Sequence, residues 1–404
     1  MATYGLATQN AAGQLYMYSP TMNGVFYNTN GTYSTNSTVP STGFVTQFAM
    51  ATPITAMSAS WSSSSLGGSI TINGGLNSTG TYFYSPTAYV NGGTTPVLAP
   101  AVTPATTQVY AFGVPTTPTG YGFFAVGASG SSVAVDATHK AYYIQPKSDG
   151  TYIRTGTATS LSSSTAADNS SYSQPTSASI TFERSFLNPP LIFITESSGP
   201  IALNYMTRDG SGLYNGMSIV AGSSFSNPSN PFSGTGPYSG NTYTFSYFLV
   251  ANEEPYYGTL ANYGIRVFNN ISQKVFDSSY FCPNFTAFTI TKPYSYINGA
   301  TGTYNATSTS FTKTSNVGVC LNNLNSITGS TVYCAHILGG IGFGPLSLFG
   351  RFATVTPTSA VLSGTGACAI TRPYTYPVLY WSNSFDYTMG NTSTMPVLFC
   401  NYPI

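Results

Sequence analysis

Apolar and polar residues alternate with period two along most of this chain, in short runs separated by Gly, Pro, Asn and Ser. That period puts successive side chains on opposite faces of a strand, whereas a helix returns to one face every three to four residues. The stretch Tyr263–Ser278 shows it most clearly. Tyr263 to Phe268 alternates, Asn269 to Ser272 is polar, and a second apolar run passes through Val275 and Phe276. The pattern predicts a β-hairpin with Ile265 and Val267 on one face and Arg266 and Phe268 on the other. The same order of residues stands at Tyr4–Ser19. There Tyr, Gly, Asn, Gln and Ser coincide at a constant offset of 259, from Tyr4 to Tyr263, and Leu6 takes the place of Ile265. A weaker third copy runs from Tyr121 to Asp136, with one extra residue before the Asp. A chain rich in Tyr, Gly, Asn and Ser matches itself easily, but a fixed offset with a shared strand–turn–strand order is what a true repeat leaves.

Between the hairpins lie short strand-like runs at regular spacing, as in a sandwich or barrel. They include Gly43–Met50, Ile54–Trp61, Ser69–Ile72, Thr81–Tyr84 and Val109–Pro115, then Tyr142–Ile144, Tyr152–Ile153, Ile180–Phe182, Leu191–Thr195 and Thr242–Ala251. Asn188-Pro-Pro190 fixes where the strand at Leu191 starts to pair. Tyr205–Tyr214 reads as a tight hairpin, with Asp209-Gly210 supplying the positive φ of its turn. Asn28–Thr42, Thr155–Ser179 and Ser223–Gly240 are Ser/Thr/Asn- or Pro/Gly-rich and read as links and surface loops. Three segments end alike, on an apolar strand, a polar residue and a proline: Val109–Pro115, Phe248–Pro255 and Pro396–Pro403. The expectation is an all-β chain of tandem β-sandwich-like modules, each opened by a hairpin and carrying long Ser/Thr/Gly/Pro-rich loops. The modules would span 1–118, 119–259 and a cysteine-containing 260–404, lengths that suit one sandwich each.

Composition strengthens the strand reading and removes several functions. Charged residues make up 5% of the chain, far below the usual share of about 25%. With 42% hydrophobic and 15% aromatic residues there is ample material for a core, so disorder is not expected. Formal net charge is +1, which leaves little with which to neutralise phosphates, and no nucleic-acid partner is expected. A surface nearly without charge has weak electrostatic protection against association, which suits an assembly component. Met1-Ala-Thr-Tyr-Gly shows neither a basic nor an apolar leader region, and no apolar run is long enough for a stable membrane span. Cys282, Cys320, Cys334, Cys368 and Cys400 are odd in number and without an export signal, so buried free thiols are expected rather than a disulfide framework.

Candidate chemistry is sparse. His139 and His336 are the only histidines, and although His336 and Cys334 would share a strand face, no CxxC or HxxxH spacing completes a metal site. No GxSxG elbow is present. Glu253 and Glu254 are adjacent and would point to opposite faces of a strand, while Glu183, Glu196, Asp209, Asp277 and Asp386 are scattered. No catalytic pair, cofactor or metal is expected, and a depolymerase is disfavoured by the shortage of acids. Tyrosine clusters can stack on the apolar faces of sugars; Tyr294/Tyr296, Tyr374/Tyr376 and Tyr380/Trp381 are candidates, the last two pairs forming the binding site expected here. The plainer account is that Tyr packs inward from a strand and keeps its hydroxyl wet. Gly339–Phe352 is apolar and glycine-rich; it reads as a buried strand pair with a glycine-rich turn, the alternative being a tip loop that touches a membrane or partner.

The order Tyr-Gly-aliphatic, Asn-x-x-x-Gln, Phe-Asp-Ser, with Pro190-Leu-Ile-Phe-Ile194 upstream, resembles minor tail and tail-tip structural proteins of tailed bacteriophages. The resemblance is best over Ile180–Ser278 and partial at Tyr4–Ser19, where Tyr18 stands in place of the Asp. It implies a virion structural role at the tail tip, baseplate or fibre, assembly in the host cytoplasm, and no catalytic residues. Its expected partners are other tail proteins and copies of the chain itself, a trimer being one arrangement. The second reading is a receptor adhesin of the virion that holds a host surface glycan or protein.

Overall fold

Period-two alternation becomes antiparallel strand throughout the computed structural model. The structure describes residues 140–159, 178–203, 205–219, 242–257, 265–286, 309–322, 353–362 and 397–403 with their side chains, as well as Thr52, Ile54, Ala221 and Phe288, and the backbone alone of further strands. Among the described residues every element is a strand, so the chain is all-β.

Fifteen strands carry the sandwich and its attached hairpin. They are β1 Tyr143–Gln145, β2 Arg154–Thr159, β3 Ala178–Phe186, β4 Leu191–Ser197, β5 Ile201–Arg208, β6 Tyr214–Ala221, β7 Thr242–Ala251, β8 Arg266–Phe268, β9 Lys274–Asp277, β10 Asn284–Thr291, β11 Ser308–Thr312, β12 Val317–Cys320, β13 Ser347–Val355, β14 Ser359–Cys368 and β15 Thr394–Asn401. One sheet has the order β1-β7-β4-β12-β15-β10, with β2 beside β1 on the same edge of β7. The other runs β3-β6-β5-β13-β14-β11, and Thr328–Val332 extends it from β13 to strands Ser69–Leu76 and Tyr82–Tyr89. Both sheets therefore take strands from each side of residue 259, and the second also takes strands from before residue 118. Those expected boundaries do not coincide with a break in either sheet. The physical reason is pairing: β12 joins β4 through Phe193↔Cys320 and Ile194↔Val319, so early and late segments complete one layer.

Alternation explains which side chains meet. From β4, Ile192 and Ile194 enter the core between the sheets, as do Leu249 of β7 and Val319 of β12. Across from them stand Leu203, Met217, Ile219, Ala353 and Leu362 of the second sheet. The intervening residues Leu191, Phe193, Phe248, Val250, Cys320, Leu398 and Cys400 face outward into a second core, closed by Tyr152, Ile153, Phe281 and Tyr402. A strand buried on both faces needs continuous apolar sequence, which Leu191–Ile194 and Phe248–Ala251 provide. In the outer core Phe193 stacks between Phe248 at 5.1 Å and Phe285 at 5.8 Å. The rings lie over Gly318, where a Cβ would come within 2.6 Å of the Phe248 ring and 2.8 Å of Phe193 Cβ. A glycine is needed there because the Phe248 ring and the Phe193 Cβ occupy its side-chain space.

The Asn-Pro-Pro step does set the start of β4 at Leu191. Asn322, fully buried, fixes that start from three sides. Its Oδ1 accepts from Ile192 N at 2.7 Å, and its Nδ2 donates to Pro190 O and to Thr52 Oγ1, each at 3.0 Å. A buried amide so fully partnered avoids the cost of an orphaned polar group, about 1–3 kcal/mol.

Two expected loops are partly strand. Tyr27–Tyr33 pairs with Thr107–Pro115 despite its polar composition, and Thr155–Thr159 belongs to β2 because it pairs with β7 from Thr242 to Ser246. The turn of the β5–β6 hairpin also differs from expectation: the positive φ is at Gly212 (80°), with Asp209 Oδ1 accepting from Ser211 N and Leu213 N.

All three copies of the repeated segment form two-stranded antiparallel hairpins. In the copies at an offset of 259 even the register agrees: Ala7↔Tyr18 and Thr8↔Met17 match Arg266↔Asp277 and Val267↔Phe276, with a register shift at the same step. The middle copy pairs Gly122↔Asp136 through Val126↔Ser132 without a shift, a register of its own.

Candidate functional site

The residues expected to bind, Tyr374, Tyr376, Tyr380 and Trp381, lie outside the described residues, as do His139, His336, Asp386 and Gly339–Leu346. Ser347–Phe352 is the first part of β13. Cys282, Cys320 and Cys400 are free thiols, and burial pushes the first two up to about 12, far from thiolate reactivity.

Besides the ion pairs Lys147–Asp149 and Arg154–Glu183, the described charged residues mark two settings. Six of the chain's 11 basic and 10 acidic residues gather where the β8–β9 hairpin meets the sandwich. Glu253 and Glu254, on the segment leaving β7, do point apart. Glu253 pairs with Arg184 of β3 at 2.8 Å and accepts from Leu187 N. Glu254 takes Lys274 of β9 and the Tyr280 hydroxyl. Lys274 also reaches Asp277 at 2.8 Å, and Asp277 accepts from Arg266 Nε and Ser279 N, each at 2.9 Å. Burial alone would raise the Asp277 carboxyl, but these hydrogen bonds outweigh it and hold the group below its ordinary value. Apolar contacts of Val267, Phe276 and Tyr280 with Ala141 and Tyr143 complete the joint. Sequence reading left these acids ungrouped; the fold groups Asp277 with Glu254 through one lysine.

The second setting is a cleft at the opposite end of β7, with a volume of about 660 Å³. Three strands form a platform there. Thr155↔Ser246↔Glu196 make one transverse row across β2, β7 and β4, in register. Thr157↔Thr244 begin the next, and Ser198, whose amide donates to Thr244 O, ends it. Spacings of about 4.8 Å between strands and 6.7 Å between alternate residues make this a face of roughly 10 by 7 Å. Beyond it, Ser197, Thr356 and Pro357 form a wall.

Glu196 reaches this face through a β-bulge. The register of β4 on β7 shifts between Ile194 and Glu196, leaving Thr195 as the extra residue. A bulge re-aims the side chain that follows it. Glu196 then lies exposed in the cleft, while Ile194 remains in the core. Two hydroxyls are oriented by the backbone: Ser197 Oγ accepts from Val355 N and Ser198 Oγ from Thr244 N, both at 2.9 Å. Each keeps its own hydrogen to donate. Beneath the wall, the buried Lys313 donates to Pro357 O and Thr314 O; burial lowers its affinity for a proton, and the field of Glu196 partly offsets that.

Chemically the cleft offers one carboxylate acceptor, several hydroxyls that donate or accept, and no imidazole or thiol. Among the described residues no group of three or more His, Cys, Asp or Glu side chains is placed to hold a metal ion. The platform was missed from sequence because its rows draw on residues far apart in the chain; the one local signal was the alternation Thr242-Tyr-Thr-Phe-Ser-Tyr247. Comparison of the chain with family models, curated proteins and solved structures returned no match.

Proposed function

We propose that this chain is a non-enzymatic structural component of a bacteriophage tail, at the tip, baseplate or fibre, where it packs against copies of itself and other tail proteins. The observation that carries this reading is the hairpin β8–β9. It is anchored at its base by ions, yet its far end exposes Phe268 (51%) and Ile271 (67%). Leu187 and Tyr256, which flank the Glu253–Glu254 segment, are also exposed. On a surface with so few charges, large exposed apolar side chains suit contact with another protein. Recurrence of the same hairpin in the same register at residues 7–18 fits a part used for joining rather than for chemistry. The motif resemblance to tail-tip proteins supplies the setting.

Immunogold labelling of purified virions with antibody to this chain tests the proposal. Gold confined to one part of the tail is the expected result; unlabelled particles overturn it. Ile271→Ser with Phe268→Ser should give folded chain that enters assembled particles at less than a tenth of the normal level.

A further inference from the structure

We propose that the platform formed by Thr155, Ser246 and Glu196 with Thr157, Thr244 and Ser198 is a binding site for a carbohydrate chain. The cleft volume of about 660 Å³ lies within the usual range for a ligand site, about 300–1,000 Å³. Its chemistry selects the ligand class. A sugar presents neighbouring hydroxyls that donate and accept at once, and the platform answers in kind. The two oxygens of Glu196 accept from a pair of ligand hydroxyls. Ser197 and Ser198, whose oxygens are already occupied by backbone amides, donate back.

A single carboxylate with no cation on the open face repels phosphates, sulfates and acidic sugars, so the ligand is neutral or amino-substituted. A peptide strand is a poorer occupant. The platform is a sheet face, and β7 is paired on both sides at Phe245 and Ser246, with β2 and with β4, so a peptide laid across this face finds no free ladder in β7 there. Rigidity favours binding as well: the rows belong to paired strands, so little ordering is needed when the ligand arrives.

The inference does not rest on the tail reading. A chain that binds sugars but never enters virions would keep this site and lose the other proposal. It rests on residues other than Tyr374, Tyr376, Tyr380 and Trp381, which the sequence singles out.

The test uses the full chain on an array of bacterial surface oligosaccharides, followed by calorimetric titration of the best-bound sugar. Wild type should bind a defined subset of neutral or amino-sugar chains. Glu196→Gln and Thr157→Val should each weaken that binding at least ten-fold. Both side chains are exposed, so the melting temperature should be unchanged. Absence of binding by wild type to any member overturns the proposal. So does binding that survives both substitutions, or that is lost only when Tyr380 and Trp381 are replaced.

Discussion

Phe193 lies between two other phenylalanine rings in a cluster without a charged group, whereas Asp277, equally buried, is held by two cations and a backbone amide. The two regions are fastened by different physics. Around Phe193, strands covered on both faces gain from burial of apolar surface, which depends little on pH or salt. At the joint of β8–β9, Ala141 and Tyr143 supply the apolar contacts of the sandwich, and directional hydrogen bonds set where the hairpin sits: Lys274 and the Tyr280 hydroxyl to Glu254, Ala141 N to Val275 O at 2.8 Å and Asp277 N to the Tyr143 hydroxyl at 2.7 Å. In a chain with 5% charged residues, six of them meet at this joint, where orientation matters. Scarcity of charge is not indifference to it.

Removing a ring is the strongest way to break the first region. Phe193→Ala should cost about 4 kcal/mol, because it opens a cavity in a stack that the chain cannot close over. Chemical denaturation should show the loss as global, with the midpoint shifted and a single transition retained. At the joint, Asp277→Ala should cost about 2 kcal/mol. That is below the range for a fully buried pair, because Arg266 is 41% exposed. Hydrogen exchange should localise the effect to residues 265–280 and leave β4 and β7 protected.

Acid probes the same carboxylate without mutation. Its folded value is depressed, so its contribution is complete above about pH 4, the unfolded carboxylate range, and is lost as pH falls through the folded value. The hairpin should therefore loosen below about pH 4, and Asp277→Asn should flatten that dependence. Thermal melts of both proteins across the acid range check it.

The smallest effect sharpens the comparison from the turn. Ser272 adopts φ 61°, a left-handed conformation that disfavours a side chain, and the first copy of the hairpin has Gly13 at the corresponding position. Ser272→Gly should stabilise by about 0.5 kcal/mol once the greater freedom of unfolded glycine is subtracted, visible as slower exchange in residues 266–277.

Local order was legible in the sequence; long-range pairing was not. Period two identified the strands, the hairpin at Tyr263–Ser278 and the alternation of Ile265 and Val267 against Arg266 and Phe268. The Pro-Pro step marked the start of β4. Continuous apolar runs at Leu191–Ile194 and Phe248–Ala251 carried the sign of strands covered on both faces, but nothing in them names β12 or β15 as neighbours. A division at 259 gives each segment the length of a sandwich, yet the register of β4 on β12 joins the segments. The platform escaped notice for two reasons. Its rows cross three strands, and Glu196 reaches it only because Thr195 bulges. Turn chemistry was half readable: Asp209 was identified with its hairpin, while the positive φ fell two residues beyond Gly210.

The place of β15 has a consequence for how the chain comes into being. This strand, residues 394–401, lies between β12 and β10 rather than at an edge, and Asn322 joins Thr52 across 270 positions of sequence. At about 5–20 residues per second, β4 leaves the ribosome roughly 10–40 s before β15. Until then the apolar surface of β4 and β7 that Val397, Leu398 and Cys400 help to cover stays open, in a segment with few charges to keep it from its neighbours. Contacts of such long sequence separation also form slowly. Folding is therefore committed late, and the nascent chain depends on being shielded while it waits.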